Sequence, residues 1–186
     1  MPQLPGLDLE RYRPLLRVQA RQLRLTPRFA RRFDSSDLVA STLVRAHQCR
    51  GEFRGSTEAE LLKWLHEILL HVAADQVRRA TAKKRDLRLE RSLQAALNDS
   101  SLRLERFLAD RGEAPDARLE REELLLRVAG AIDQLPEDQR DAVVLRDLMG
   151  LSVAEVAARM GRTQKAAAGL LLRGRARLRE LLTDGQ

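Results

Sequence analysis

The stretch LSVAEVAARMGRTQKAAAGLLLRGRARL, Leu151 to Leu178, decides how this chain is read. Ser152 and Glu155 form an S-x-x-E capping box, in which hydroxyl and carboxylate each satisfy a backbone N–H at a helix start. Leu151 and Val156 take the two positions of a hydrophobic staple around it. Together they predict a short helix over 153–160. Gly161 falls where a tight turn needs positive φ. Thr163 can cap a second helix over 164–178, with Ala167, Leu170 and Leu171 turned inward and Leu178 further along. Small Ala157 leaves room for a close crossing. Two helices joined by a short Gly turn, the second one basic, is a helix-turn-helix layout.

Charge sharpens that reading. Residues 123–158 hold seven acidic and three basic side chains, whereas 159–179 hold seven basic and no acidic ones. A structural hairpin with a solvated arginine face is the plain alternative. It does not require such segregation, while a helix facing DNA gains from it. Each neutralised phosphate releases counterions, with a log–log salt slope of about −0.9 per contact.

Working outward, the whole chain favours helices. Its 186 residues suffice for one medium domain or two small ones, and 44% apolar content supports real cores. Gly and Pro are scarce, and no run of alternating β-branched residues occurs, so the expected fold is all-α. The net charge of +7 and a pI near 10.6 suit a polyanion partner such as nucleic acid. The single cysteine, Cys49, excludes an internal disulfide and fits a reducing compartment. The polar, Pro-interrupted start MPQLPGLDLERYR does not read as a signal peptide. The most apolar run, LLKWLHEILLHVAADQV, carries Lys63, His66, Glu67, His71 and Asp75, too many ionisable groups for a membrane span. A soluble, cytoplasmic protein is expected.

An enzyme is the class least favoured. There is no Gly-rich phosphate loop, no zinc-type Cys/His spacing and no nucleophile elbow, so no cofactor or metal is expected. His47, His66 and His71 do not converge with cysteines, and every carboxylate pair has a helix-cap or surface explanation.

Upstream, Leu9, Tyr12, Leu16 and Leu23 mark a first helix, with Pro14 either its true start or a kink, and Thr26-Pro27 ends it. FDSSDLVASTLVRAH follows, with Asp34 and Asp37 spaced as in a capping box. The turn GEFRGST carries a third box, Thr57 and Glu60, and opens a long helix striped by Leu61, Leu65, Ile68 and Val72. Residues 1–90 hold 18 basic and 11 acidic side chains. Residues 91–122, with breaker-rich NDSS and DRGEAPDA, read as a partly mobile linker with one or two short helices. A second helical unit follows: Leu125, Val128, Ile132 and Leu135 mark one helix, and Pro136 fits the first turn of the next, EDQRDAVVLRDLM. Gly150 fits the left-handed position after it.

LPEDQRDAVVLRDLMGLSVAEVAARMG with its Arg-rich sequel resembles region four of bacterial RNA polymerase sigma factors, best of all the extracytoplasmic-function (ECF) group of the sigma-70 family. The first half agrees independently. FDSSDLVASTLVRAH resembles the core-polymerase-binding stretch of region two, and FRGSTEAELLKWLHEILLHVAADQVRR resembles the promoter-melting and minus-ten-reading stretch. The resemblance implies region two over 1–90, a linker over 91–122 and region four over 123–186. Such a protein would bind RNA polymerase core and promoter DNA, reading and opening the minus-ten element with region two. Region four would read the minus-thirty-five element. An anti-sigma protein is a further partner that the family admits.

The resemblance places Asp34, Asp37, Leu38 and Val39 against the polymerase. Asp34 reads equally well as a cap alone, while Asp37 and at least one of Leu38 and Val39 are expected to touch. For the minus-ten element the candidates are Trp64, His71, Asp75, Arg78 and Arg79. A lone Trp on an apolar helix fits a core better, His71 reads equally well as solvated, and Arg78 and Arg79 suit phosphates. In region four, Arg162, Thr163, Gln164, Lys165 and Ala168 begin the recognition helix. There Gln can read adenine, and Arg or Lys guanine. Arg173, Arg175 and Arg177 suit phosphates. Gly174 costs about 1 kcal/mol against Ala in a helix, and either close backbone approach or simple tolerance explains it. The family often has Gln after D-L-V where this chain has Ala40, and Asn where His71 aligns, so one core contact and the base preference depart from the pattern. The competing reading is an autonomous, dimeric helix-turn-helix regulator; a helical adaptor protein is weaker still.

Overall fold

The computed structural model describes residues 8–27, 29, 34–81, 87–110 and 118–183. A 3-10 turn, Leu9–Tyr12, leads into α1, Arg13–Leu25. Asp8 caps the turn by accepting from the Glu10 N–H, and Pro14 sits in the first turn of α1. Pro14 therefore marks a start and not a kink, because its missing N–H has no partner to lose there. Then come α2, Ser35–Gln48, α3, Glu58–Thr81, and α4, Leu87–Asp110. The second half holds α5, Arg118–Asp133, and α6, Glu137–Val143, which runs on into a π-helical turn, Val144–Leu148. It ends with α7, Val153–Met160, and α8, Gln164–Thr183. Pro136 lies one residue earlier than expected, at the cap of α6. The described residues form no strand, as an all-α chain requires.

Three apolar clusters hold these helices. The first buries Leu16, Ala20 and Leu23 of α1 with Leu38, Val39 and Leu43 of α2, Leu61, Leu65, Leu69 and Val77 of α3, and Leu93 and Leu97 of α4. The second joins Leu15 and Val18 of α1 and Leu104 of α4 to Val128, Ile132, Val144, Leu178 and Leu182. The third, built from Ala142, Leu145, Val156, Ala157, Ala167 and Leu171, binds α7 and α8 to α6. Helices α1 and α4 thus each serve two clusters, so the two halves pack against one another.

Residues 87–110 differ from the expected short helices: they form one 24-residue helix. Leu93, Leu97, Ser100 and Leu104 recur at helical spacing and are buried. The polar breakers are used within the helix: Asn98 accepts from Gln94 and meets His66, and Asp99 pairs with Arg103 four residues on. Packing along that stripe overrides the weak local preference of Asn, Asp and Ser for turns. DRGEAPDA lies largely outside the described residues.

Candidate nucleic-acid interface

Local chemistry builds the α7–α8 unit. The Glu155 N–H donates to Ser152 Oγ at 3.3 Å, and the Ser152 N–H to Glu155 Oε2 at 2.7 Å, closing the capping box. The Ser152 hydroxyl, at 2.7 Å, and the Ser152 N–H both donate to the exposed Glu155 carboxylate and hold it below its ordinary range. Gly161 adopts φ 62, and the next N–H, of Arg162, reaches the Ala157 carbonyl at 2.9 Å. Thr163 Oγ1 then accepts from the Ala166 N–H and starts α8. Further along, Gly174 is where α8 crosses α6. A Cβ there would lie 2.9 Å from Val143 Cγ2 and 3.3 Å from the Gln139 carbonyl oxygen. Close approach, not tolerance, explains this glycine.

The crossing turns one side of α8 outward. Arg162, Thr163, Gln164, Lys165, Ala168, Arg173, Arg175 and Arg177 are all exposed. Arg162, Thr163, Lys165, Gly169 and Arg173 line, with Asp138, a groove of about 410 Å³. Several cations meet carboxylates of their own half. Arg162 pairs with Asp138 at 3.1 Å, Arg175 holds Asp147 with two N–H groups (Nε to Oδ2 at 3.0 Å), and Arg177 pairs with Glu180 at 2.9 Å. The bond to Asp147 raises the Arg175 pKa against a smaller loss from burial. Among the described residues Lys165 and Arg173 have no ion-pair partner. The pairs to Asp138 and Asp147 span 24 and 28 residues, so nothing in the local sequence announces them.

On α2, Asp34 is the cap: its Oδ1 accepts from the N–H groups of Ser36 and Asp37 at 2.7 and 3.1 Å. Asp34 and Asp37 are exposed. Leu38 and Val39 are both 0% exposed and belong to the first cluster. This corrects the expectation that one of them meets a partner, because the core stripe of α2 runs through Leu38, Val39, Thr42, Leu43 and Ala46. The outward stripe is Asp37, Ala40, Ser41 and Val44, and Val44 is 57% exposed. Spacing from Asp37 marks Val44 as its neighbour two turns on, a signal the sequence reading passed over.

On α3, the Thr57–Glu60 box is formed, and its bonds from Ser56 and Thr57 lower the Glu60 pKa. Trp64 is half-buried, with its ring centroid 5.3 Å from that of Phe53, as its core reading requires. His71, Asp75 and Arg79 fall four residues apart and are exposed, forming one strip. Arg78, half-buried, pairs with Asp75. His66 is not on that strip. Its Nε2 lies 3.2 Å from Asn98 Oδ1 on α4, and burial lowers its pKa despite Asn98 and Glu67.

Helices α7 and α8, joined at Gly161 with the basic side of α8 exposed, form the helix-turn-helix layout of DNA-binding proteins, and the outward strips of α2 and α3 add a second exposed surface. Residues 9–83 match the description Sigma-70 region 2, and residues 125–178 match Sigma-70, region 4. The chain is 32% identical over 172 residues to the ECF RNA polymerase sigma factor SigM of Mycobacterium tuberculosis, spanning 90% of this chain and 75% of that protein. It is 29% identical over 150 residues to the ECF RNA polymerase sigma-E factor of Escherichia coli, spanning 78% and 72%. Among solved structures, the sigma factor RpoE of Bartonella quintana, in complex with the anti-sigma factor NepR, matches 95% of this chain and 94% of that one. Its TM-score is 0.34, at 22% identity. The chain belongs to the sigma-70 family, in its ECF group.

Proposed function

We propose that this protein is an RNA polymerase sigma factor that binds polymerase core in the cytoplasm and directs it to particular promoters. It is a recognition and melting factor; the chemistry belongs to the polymerase, so it is not itself an enzyme and needs no cofactor. Residues 1–90 act as region two, 91–122 as the linker and 123–186 as region four. Asp37, with Ala40 and Val44 beside it, meets the core. His71, Asp75, Arg78 and Arg79 face the minus-ten element, with Trp64 supporting the strip from the Phe53 stack. Arg162, Gln164 and Lys165 read bases of the minus-thirty-five element, with Thr163 and Ala168 exposed beside them. Arg173, Arg175 and Arg177 hold phosphates. An anti-sigma protein would compete for the same faces.

What carries the reading is the conjunction of both region matches, in order, with all eight recognition-helix candidates exposed on one unit. An autonomous dimeric regulator would leave the region-two match without a role. Co-purification with polymerase core, followed by transcription from a fragment library, tests it. Retention on core and initiation at a restricted promoter set are expected. A chain that ignores core, or that binds an operator alone as a stable dimer, would refute it.

A further inference from the structure

Helix α8 carries two glycines inside its length, and the fold treats them differently. Gly174 is buried at the crossing with α6, where a Cβ would press on Val143 Cγ2. At Gly169 the fold makes no such demand. Among the described residues, a Cβ there would meet only the guanidinium nitrogens of Arg173, at 3.4 and 4.0 Å, the mobile end of a side chain. The backbone at Gly169 is helical, without the positive φ of Gly150 and Gly161. Inside a helix glycine loses more chain entropy than alanine and destabilises. Residue 169 therefore costs stability and gains no packing within the chain.

Its surroundings point outward. Lys165, Gly169 and Arg173 stand four residues apart on one side of α8, and Gly169 lines the groove with Arg162, Thr163 and Asp138. Three cations against one carboxylate favour an anionic partner. The same side holds apolar groups in water: Ala166 is exposed, and Leu172, three residues beyond Gly169, is 70% exposed. A phosphate strand calls for cations alone. A base-pair edge in the major groove sets hydrogen-bonding groups beside the thymine methyl. Cations bordering a bare apolar strip match that mixed surface.

We propose that Gly169 is a specificity-determining position: its missing side chain lets base-pair edges of the minus-thirty-five element come into contact with the α8 backbone between Lys165 and Arg173. This rests on the sigma-factor reading and deepens it, by assigning where along α8 the duplex comes closest. Lys165 reaches a base edge and Arg173 a phosphate from either side of that point. A methyl group at 169 holds the helix off the duplex and lengthens both contacts. Fold and promoter reading thus respond to Gly169→Ala with opposite signs.

The full-length variant Gly169→Ala, with Gly130→Ala as its control, tests this. Gly130 also lies inside a helix, α5, where a Cβ would meet nothing within 4 Å, and it is not part of the groove. Both variants should melt about 2–4 °C above the wild type, the worth of a helical Gly→Ala change in a chain of this size. Both should bind polymerase core as the wild type does. As holoenzyme, Gly130→Ala should bind a duplex carrying the selected minus-thirty-five element unchanged. Gly169→Ala should bind it about tenfold more weakly, the size of an overpacking effect at a close contact. With that element scrambled the two should bind alike, because phosphate contacts hold any sequence. In an Arg173→Ala background the loss from Gly169→Ala should persist, since the added methyl acts on the duplex and not on Arg173. Undiminished binding by Gly169→Ala, a loss equal on scrambled DNA, a loss that vanishes with Arg173→Ala, or a lowered melting temperature would each overturn the proposal. A wild type that forms no holoenzyme would instead refute the sigma-factor reading, and the same comparison on a duplex selected with the chain alone would still decide the role of Gly169.

Discussion

The two halves hold their working surfaces by different means. In the first half the outward groups of α2 and α3 are positioned from behind, by aliphatic side chains that are wholly buried: Leu38 and Val39 under Asp37, Leu65 and Leu69 under the His71 strip. In the second half aliphatic side chains such as Ala167 and Leu171 also back α8, but charge pairs and one tight crossing are added to them: Asp138 on Arg162, Asp147 on Arg175, Gly174 against Val143. The first arrangement makes fold and function separable at adjacent residues. The second couples them.

Adjacent residues on α2 offer the sharpest break. Leu38→Ala should cost about 3 kcal/mol in denaturant unfolding, because a fully buried leucine is removed. Asp37→Arg should cost less than about 1 kcal/mol, the helix-terminus charge effect, yet weaken core binding about tenfold. A stable Leu38→Ala variant that loses core would return Leu38 to the interface.

The crossing comes next. Gly174→Leu should destabilise by about 2 kcal/mol through overpacking against Val143 and Gln139. Minus-thirty-five binding should fall with it while holoenzyme still forms; unchanged melting and promoter binding would show that α8 and α6 have room to spare.

A smaller effect concerns reading alone. Arg162→Ala or Lys165→Ala should reduce minus-thirty-five-dependent transcription about tenfold, the worth of one base contact, with core affinity unchanged. Asp147→Asn should act in the other direction. Released Arg175 becomes available to phosphate, and the slope of duplex affinity against salt should steepen by about one unit. Equal slopes in the two proteins would show that Arg175 does not meet DNA.

The smallest is a pH effect between α3 and α4. Burial holds the His66 imidazole below its ordinary 6.5. Below that pH the unfolded chain takes up a proton that the folded one resists, so stability present at neutral pH declines as pH falls through the ordinary imidazole value. Melting temperature should drop on acidification from pH 7.5 to 5.5, and His66→Asn should flatten that drop.

How legible each half was follows from the same contrast. Caps, turn glycine and staple act within a few residues, so the α7–α8 unit could be read from Leu151 to Leu178 nearly as it folds. The side of α2 that faces inward depends on α1 and α3, and a stripe of Leu38, Val39 and Leu43 beside one of Asp37, Ala40 and Val44 leaves both orientations open until those helices are placed. The α4 helix through NDSS and the partners of Arg162 and Arg175 rest on packing and on contacts distant in sequence. Gly174 could be noticed as out of place in a helix, but its reason belongs to α6.

The most direct test measures the affinity of the full-length protein for a duplex carrying both of its selected promoter elements, with and without polymerase core. Tight, sequence-specific binding with core and weak, salt-sensitive binding without it is the predicted result. Equal, specific affinity of the protein alone, bound as a dimer, would contradict the account.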